Sequence, residues 1–210
     1  MKLKIFNFGL PRTGTTSFHF FMKKLGFKSL HSGNGVINDI FPSNYFNFVK
    51  NQNDPRNILN KLIYRNEVFS DLPWYSNALM NVLIKKYEND PNVKFVATIR
   101  NKESWLNSIK KLNSPNWING AGSVEFHKYE YNGIFDKYSE FCETELNQLL
   151  GDYYNKHYEL LKELCADYLL LNIDNINELK SNITMLLPEK ESDINNIEYP
   201  HKGAHITSFS

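Results

Sequence analysis

The sequence predicts an α/β fold, an open parallel sheet flanked by helices on both faces, and three observations carry that prediction. Short apolar segments alternate along the chain with stretches of helical periodicity. The first apolar segment runs into Gly9-Leu10-Pro11-Arg12-Thr13-Gly14-Thr15-Thr16-Ser17, whose two glycines keep the spacing of a phosphate-binding loop, so the sheet reads as P-loop-type. The third apolar segment ends on Arg100, just ahead of an amphipathic helix. At 210 residues the chain suits one domain, residues 1–210, with a single sizeable core.

Taken in order, residues 2–8 alternate as a strand does, and the helix after the glycine loop repeats Phe18, Phe21, Met22 and Leu25 at i, i+3, i+4 and i+7, with Gly26 as its C′ residue. Those aromatics read as core, and His19 as an ordinary surface or packed histidine. Residues 67–70 form a second strand, ended by Asp71-Leu72-Pro73 ahead of a helix running through Tyr87. Residues 93–99 are the clearest strand, followed by Arg100 and a helix carrying Trp105, Leu106, Ile109 and Leu112. Residues 113–134 dissolve into Asn, Gly, Ser and aromatics, the composition of an irregular loop that shapes an acceptor pocket. Residues 135–164 are helical with an interruption at Gly151, which predicts two helices or one bent helix. A fourth strand spans 168–173, with Asp174 as N-cap of a helix over 176–187. Residues 188–210 are polar and irregular, a frayed tail or a strap over the site.

A net charge near +1 argues against a general nucleic-acid binder, so any basic site is local. The strand-like N-terminus does not read as a secretory signal and no apolar run is long enough to span a membrane, which leads to the expectation of a soluble, cytoplasmic protein. Cys142 and Cys165 read as sparse buried thiols rather than a disulfide framework or zinc site, and no metal is expected.

A triphosphate-binding loop reads G-x-x-x-x-G-K-[ST], yet Thr15 stands where the lysine belongs. Anion binding survives that change, because it rests on backbone N–H groups and the positive end of the helix starting near Thr15. The charge now comes from Arg12. A plain alternative is a tight strand-to-helix turn capped by threonines.

Pro11-Arg12-Thr13-Gly14-Thr15-Thr16 resembles the 5′-phosphosulfate loop, commonly P-K-S-G-T-T, of the sulfotransferases that use 3′-phosphoadenosine 5′-phosphosulfate (PAPS). Arg12 falls on the lysine that touches the bridging oxygen, Thr13 falls on the serine, and Gly14, Thr15 and Thr16 match. The family's second mark, a strand-end arginine and a serine eight residues on that bind the 3′-phosphate, is matched by Arg100 and Ser108. A late R-K-G segment is matched more loosely by His201-Lys202-Gly203.

The resemblance implies sulfuryl transfer from PAPS to a hydroxyl or amine, with adenosine 3′,5′-bisphosphate (PAP) as product and a small-molecule or glycan acceptor. It implies donor contacts at Arg12, Thr13, Gly14, Thr15, Thr16, Ser17, Arg100, Ser108, Lys202 and Gly203, and makes Arg12 the stabiliser of leaving-group charge. Asp71, at a strand's carboxyl end, is the candidate general base, though a helix N-cap explains it equally well; His31, Glu125 and His127 are alternative bases. Trp74, Tyr75 and Trp117 line a pocket or belong to the core. Two rivals stay open: a small-molecule or nucleoside kinase, against which Thr15 argues, and a non-catalytic module that binds adenosine 3′,5′-bisphosphate.

Overall fold

The computed structural model describes residues 2–31, 58–112 and 141–200. Strands β1 (Lys4–Asn7), β2 (Ser29–His31), β3 (Val68–Ser70), β4 (Val93–Ile99) and β5 (Leu169–Asn172) form one all-parallel sheet of order β2-β3-β1-β4-β5. Among the described residues seven α-helices flank it: α1 (Thr15–Lys24), α2 (Ile58–Arg65), α3 (Asn77–Tyr87), α4 (Lys102–Leu112), α5 (Glu143–Leu164), α6 (Ile176–Leu186) and α7 (Glu191–Asn196). No helix among the described residues is long and apolar enough to cross a membrane.

The two-residue period of the strands sorts the core into two faces. Phe6, Phe69 and Phe95 point to one face, where Leu59 and Ile63 of α2, Leu79 and Leu83 of α3 and Leu161 of α5 cover them. Ile5, Val68 and Val96 point to the other, against Phe18, Phe21 and Met22 of α1 and Leu179 and Ile183 of α6. Register fixes this sorting, since Phe6 is level with Phe69 and with Phe95 across the two ladders of β1. The Phe6 and Phe69 rings stack at 4.7 Å, and burying each such side chain is worth about 2–3 kcal/mol.

Where the loop after β1 leads to α1 on one face while the loop after β3 leads to α3 on the other, the carboxyl edge of the sheet opens the crevice at which α/β proteins bind ligands. A third cluster, built on Leu10, Tyr75, Trp105, Leu150 and Tyr154, seals α4 and α5 beneath that edge.

The structure departs from the sequence reading in four places and decides between two readings at a fifth. His31, read as a loop residue, ends the edge strand β2; three residues are too short to display a period of two. Of the two readings around Gly151 the pair of helices is set aside: α5 is one helix through that position, because a lone glycine costs only about 1 kcal/mol in a helix that buries Leu146, Leu150, Tyr154 and Leu161. Asp174 does not cap α6: Asn175 does, its side chain accepting from Glu178 N–H, while Asp174 accepts the Asn101 N–H at 2.6 Å. Residues 188–200 are not irregular throughout, since a 3₁₀ turn (Pro188–Lys190) and α7 bury Ile194, and Tyr199 lies against Phe21 at 5.2 Å. Cys142, read as buried, is exposed at the start of α5, and both cysteines are free thiols. Gly26 fills its expected place, with φ 91° in a Schellman closure where Gly26 N–H donates to Lys23 O and Phe27 N–H to Met22 O.

Candidate active site

The loop after β1 is shaped by its own neighbours. Asn7, the last residue of β1, accepts from the N–H groups of Gly9 at 2.9 Å and Thr98 at 3.0 Å. This draws the loop so close to β4 that a Cβ on Gly9 would lie 2.1 Å from Thr98 Oγ1, so only glycine fits. Gly14 takes φ 88° as the N-cap of α1, leaving the first N–H groups of that helix to face the crevice. Thr13 is fully buried; its hydroxyl and its N–H both donate to Leu10 O, at 2.6 and 3.1 Å, so its polar groups close the loop. Thr15 and Ser17 are buried in the first turn of α1, and Thr16 is half-buried.

Arg12 is held by the segment that the sequence links to a second phosphate. Its Nε–H donates to Ser108 Oγ at 2.9 Å, and its carbonyl accepts from Arg100 Nη1 at 3.3 Å. Trp105, one turn before Ser108 on α4, donates its indole N–H to Pro11 O at 2.8 Å. The structure therefore brings Arg12, Arg100 and Ser108 into one cluster. Burial, then repulsion from Arg100, hold the Arg12 guanidinium below its ordinary pKa, with Asp71 opposing them. Arg100 Nε is buried without a hydrogen-bond partner among the described residues. Arg100 reaches the Arg12 backbone carbonyl, and the charges of both Arg100 and Asp71 are felt at the Arg12 guanidinium.

Asp71 stands at the carboxyl end of β3 and does not cap α3, whose N-cap is Ser76, accepting from Leu79 N–H at 3.3 Å. Its Oδ2 lies 3.2 Å from His31 Nε2, which lies 3.1 Å from Thr16 Oγ1. Thr16 in the first turn of α1, His31 at the end of β2 and Asp71 just past β3 thus form a polar chain. Arg12 at φ 71° and Asp71 at φ 67° are the two non-glycine residues with left-handed backbone among the described residues. Each costs about 1–2 kcal/mol, a strain that concentrates at functional sites. Trp74 and Tyr75 are fully buried and belong to the core. Lys202, Gly203, Glu125, His127, Trp117 and the 113–134 segment lie outside the described residues. Among the described residues no group of three or more His, Cys, Asp or Glu is placed to hold a metal ion.

The sequence reading misses Asn7 and His157. An asparagine inside an apolar strand marks Asn7, and a histidine on the buried stripe of α5 marks His157. His157 Nε2–H donates to Phe8 O at 2.8 Å, and the Asn77 amide lies 3.3 Å from Nδ1. Burial pushes the His157 ring down to about 4, with the bond to Phe8 opposing, and burial followed by repulsion from His31 and Lys23 takes His19 down to about 4 as well. Both rings are neutral in the folded and unfolded protein above the unfolded value near 6.5. As pH falls from there towards 4, the unfolded chain takes up protons that the folded one refuses, so stability is full above about pH 6.5 and is lost on the way down. His157 alone should cost about 2 kcal/mol at pH 5, read as a lower urea midpoint than at pH 7.5; His157→Gln should flatten the dependence.

Comparison with known proteins supplies the class of chemistry. No curated protein matches the chain. A family model described as a sulfotransferase domain matches residues 4–178, which takes in the glycine loop, Asp71, Arg100 and Ser108, and on that match the chain belongs to the sulfotransferase domain family.

Proposed function

We propose that this protein is a cytoplasmic enzyme, a single domain that moves a sulfuryl group from PAPS to a hydroxyl or amine of a small-molecule or glycan acceptor. The observation that supports the donor is the joined pair Arg12 and Arg100, with Ser108 between Arg12 and the helix it sits on. In this reading the 5′-phosphosulfate lies against the N–H groups at the start of α1, from Gly14 to Thr16, and the 3′-phosphate lies against Arg100 and Ser108. Ser108 accepts from Arg12 and keeps its own hydrogen for a phosphate oxygen.

Transfer breaks the bond between sulfur and the bridging oxygen and forms one between sulfur and the acceptor oxygen or nitrogen. The electron pair of the broken bond stays on the 5′-phosphate, so charge grows on the bridging oxygen, and the proton of the acceptor goes to the Asp71 carboxylate. Arg12 Nε is engaged by Ser108, which leaves the terminal nitrogens of Arg12 to donate to the bridging oxygen. By analogy with phosphoryl transfer the transition state is loose, so positioning and charge stabilisation supply most of the catalysis. Threonine at position 15 in place of the triphosphate-binding lysine favours this donor over ATP.

Titration calorimetry tests the reading. Adenosine 3′,5′-bisphosphate should bind about 10- to 100-fold more tightly than adenosine 5′-phosphate, since a charge-assisted contact is worth about 1.5–3 kcal/mol. Indifference to the 3′-phosphate, or a preference for ATP with Mg²⁺, overturns it. Sulfuryl transfer from PAPS to an acceptor panel then separates an enzyme from a nucleotide-binding module.

A further inference from the structure

One face of α5 holds the backbone at the roots of the whole candidate site. Tyr154 OH donates to Arg100 O at 2.6 Å, Tyr158 OH donates to Thr98 O at 2.8 Å, and His157 Nε2–H donates to Phe8 O at 2.8 Å. Positions 154, 157 and 158 are related as i, i+3 and i+4, so the three groups stand side by side on the helix. The three carbonyls belong to two arms of the site. Phe8 O is the peptide carbonyl immediately before Gly9, at the start of the glycine loop; Thr98 and Arg100 carry the second arm. Across its ring His157 also meets Asn77, at the start of the helix that follows Asp71.

The His157 contact is buried, and the two tyrosine contacts are part-buried, with Tyr158 itself half-buried. Tyr154 is 6% exposed and His157 is 1% exposed. The Tyr154 ring packs on Trp105 at 5.0 Å, and the Tyr158 ring packs on Tyr154 at 4.8 Å. A helix needs none of these polar groups to bury an apolar stripe, and phenylalanine would fill the space of either tyrosine without a donor to satisfy. Their common property is that each ends on a carbonyl at the carboxyl edge of β1 or β4.

We infer that Tyr154, His157 and Tyr158 are positioning residues that set the separation of the two anion subsites, with α5 as the rigid gauge between them. This rests on the two-subsite donor reading above. A ligand that engages two subsites at once binds with the product of the two affinities multiplied by an effective concentration, and geometry enters through that last factor. Loosening the gauge should therefore weaken a ligand with two phosphates while sparing a ligand with one.

Titration calorimetry with adenosine 5′-phosphate and adenosine 3′,5′-bisphosphate on the full chain measures this factor as the ratio of the two dissociation constants. Tyr154→Phe should shrink the wild-type ratio by about tenfold while leaving 5′-phosphate affinity within about threefold. Tyr158→Phe should act in the same direction and carries the test if Tyr154→Phe does not fold. His157→Gln, which keeps an N–H donor, should retain more of the ratio than His157→Leu. Leu161→Ala removes core packing from the same helix without touching a strand-end carbonyl, so it should lower the melting temperature and keep the ratio. The inference fails if both tyrosine variants keep the wild-type ratio, or if Leu161→Ala shifts it as far as they do. A wild-type protein with no preference for the bisphosphate overturns the donor reading, and this inference with it, whereas unchanged variants of a discriminating wild type overturn the gauge alone.

Discussion

Replacing Arg12 by alanine is expected to lower kcat by about two to three orders of magnitude and to change nucleotide affinity by less than about tenfold. The asymmetry follows from where the charge appears. In the ground state the donor's negative charge is spread over both phosphates and the sulfate, and the N–H groups of α1, Arg100 and Ser108 share it. In the transition state it gathers on the bridging oxygen, the atom assigned to Arg12. The backbone needs a control, because Arg12 sits at φ 71° and alanine there carries left-handed strain that glycine does not. Arg12→Gly should therefore match Arg12→Ala in kcat, which would place the loss in the side chain. The carbonyl that accepts from Arg100 survives in both variants, so Arg100 keeps its anchor. Arg12→Lys should recover part of the rate: an ammonium restores the charge but has no second planar arm to hold Ser108 while donating to the leaving oxygen. A collapse of affinity with turnover preserved would make Arg12 an anchor and remove it from the chemistry.

The parts legible in sequence are those in which a single residue type answers a local physical demand. Gly9 and Gly14 announce a loop where backbone must approach backbone, and the structure has Gly9 against Thr98 and Gly14 at φ 88°. The apolar runs of β1, β3 and β4 announce buried strands because a parallel sheet covered on both faces tolerates few polar residues, while β5 carries a similar run at the sheet edge, where Leu171 alone is buried. Arg100 and Ser108 could be paired by their spacing, yet nothing local tells that Ser108 takes a hydrogen bond from Arg12 across 96 positions of sequence.

What escaped the sequence depends on tertiary proximity. β2 is three residues long and becomes a strand through pairing with β3 alone, with Leu30 level with Phe69. That Asp71 does not cap α3 is visible only once Ser76 is seen in that place. Tyr154, His157 and Tyr158 look like ordinary amphipathic positions on a long helix, and their meaning lies in carbonyls 54 to 149 residues away in the chain.

Substituting Asp71 by asparagine should lower kcat by about two to four orders of magnitude, the range a positioned general base supplies, while nucleotide binding stays the same or tightens. Asparagine is the discriminating choice on three counts. It tolerates φ 67° as well as aspartate does, so the turn into Trp74, closed by Trp74 N–H donating to Asp71 O at 2.8 Å, is preserved. Its amide oxygen can still accept from His31 Nε2, where the carboxylate now sits at 3.2 Å. What it cannot do is take a proton. The expected gain in nucleotide affinity comes from electrostatics: the Asp71 carboxylate raises the Arg12 pKa, which means its charge is felt at the guanidinium, and removing it leaves the arginine pair more positive towards an incoming anion. Two readouts are thus expected to move in opposite senses, kcat down and product affinity level or up. A residue that merely shaped the turn would move them together, or move neither with asparagine in place. His31→Gln supplies the remaining comparison, since a loss of rate there larger than in Asp71→Asn would transfer the role of base to the imidazole that stands between Asp71 and Thr16.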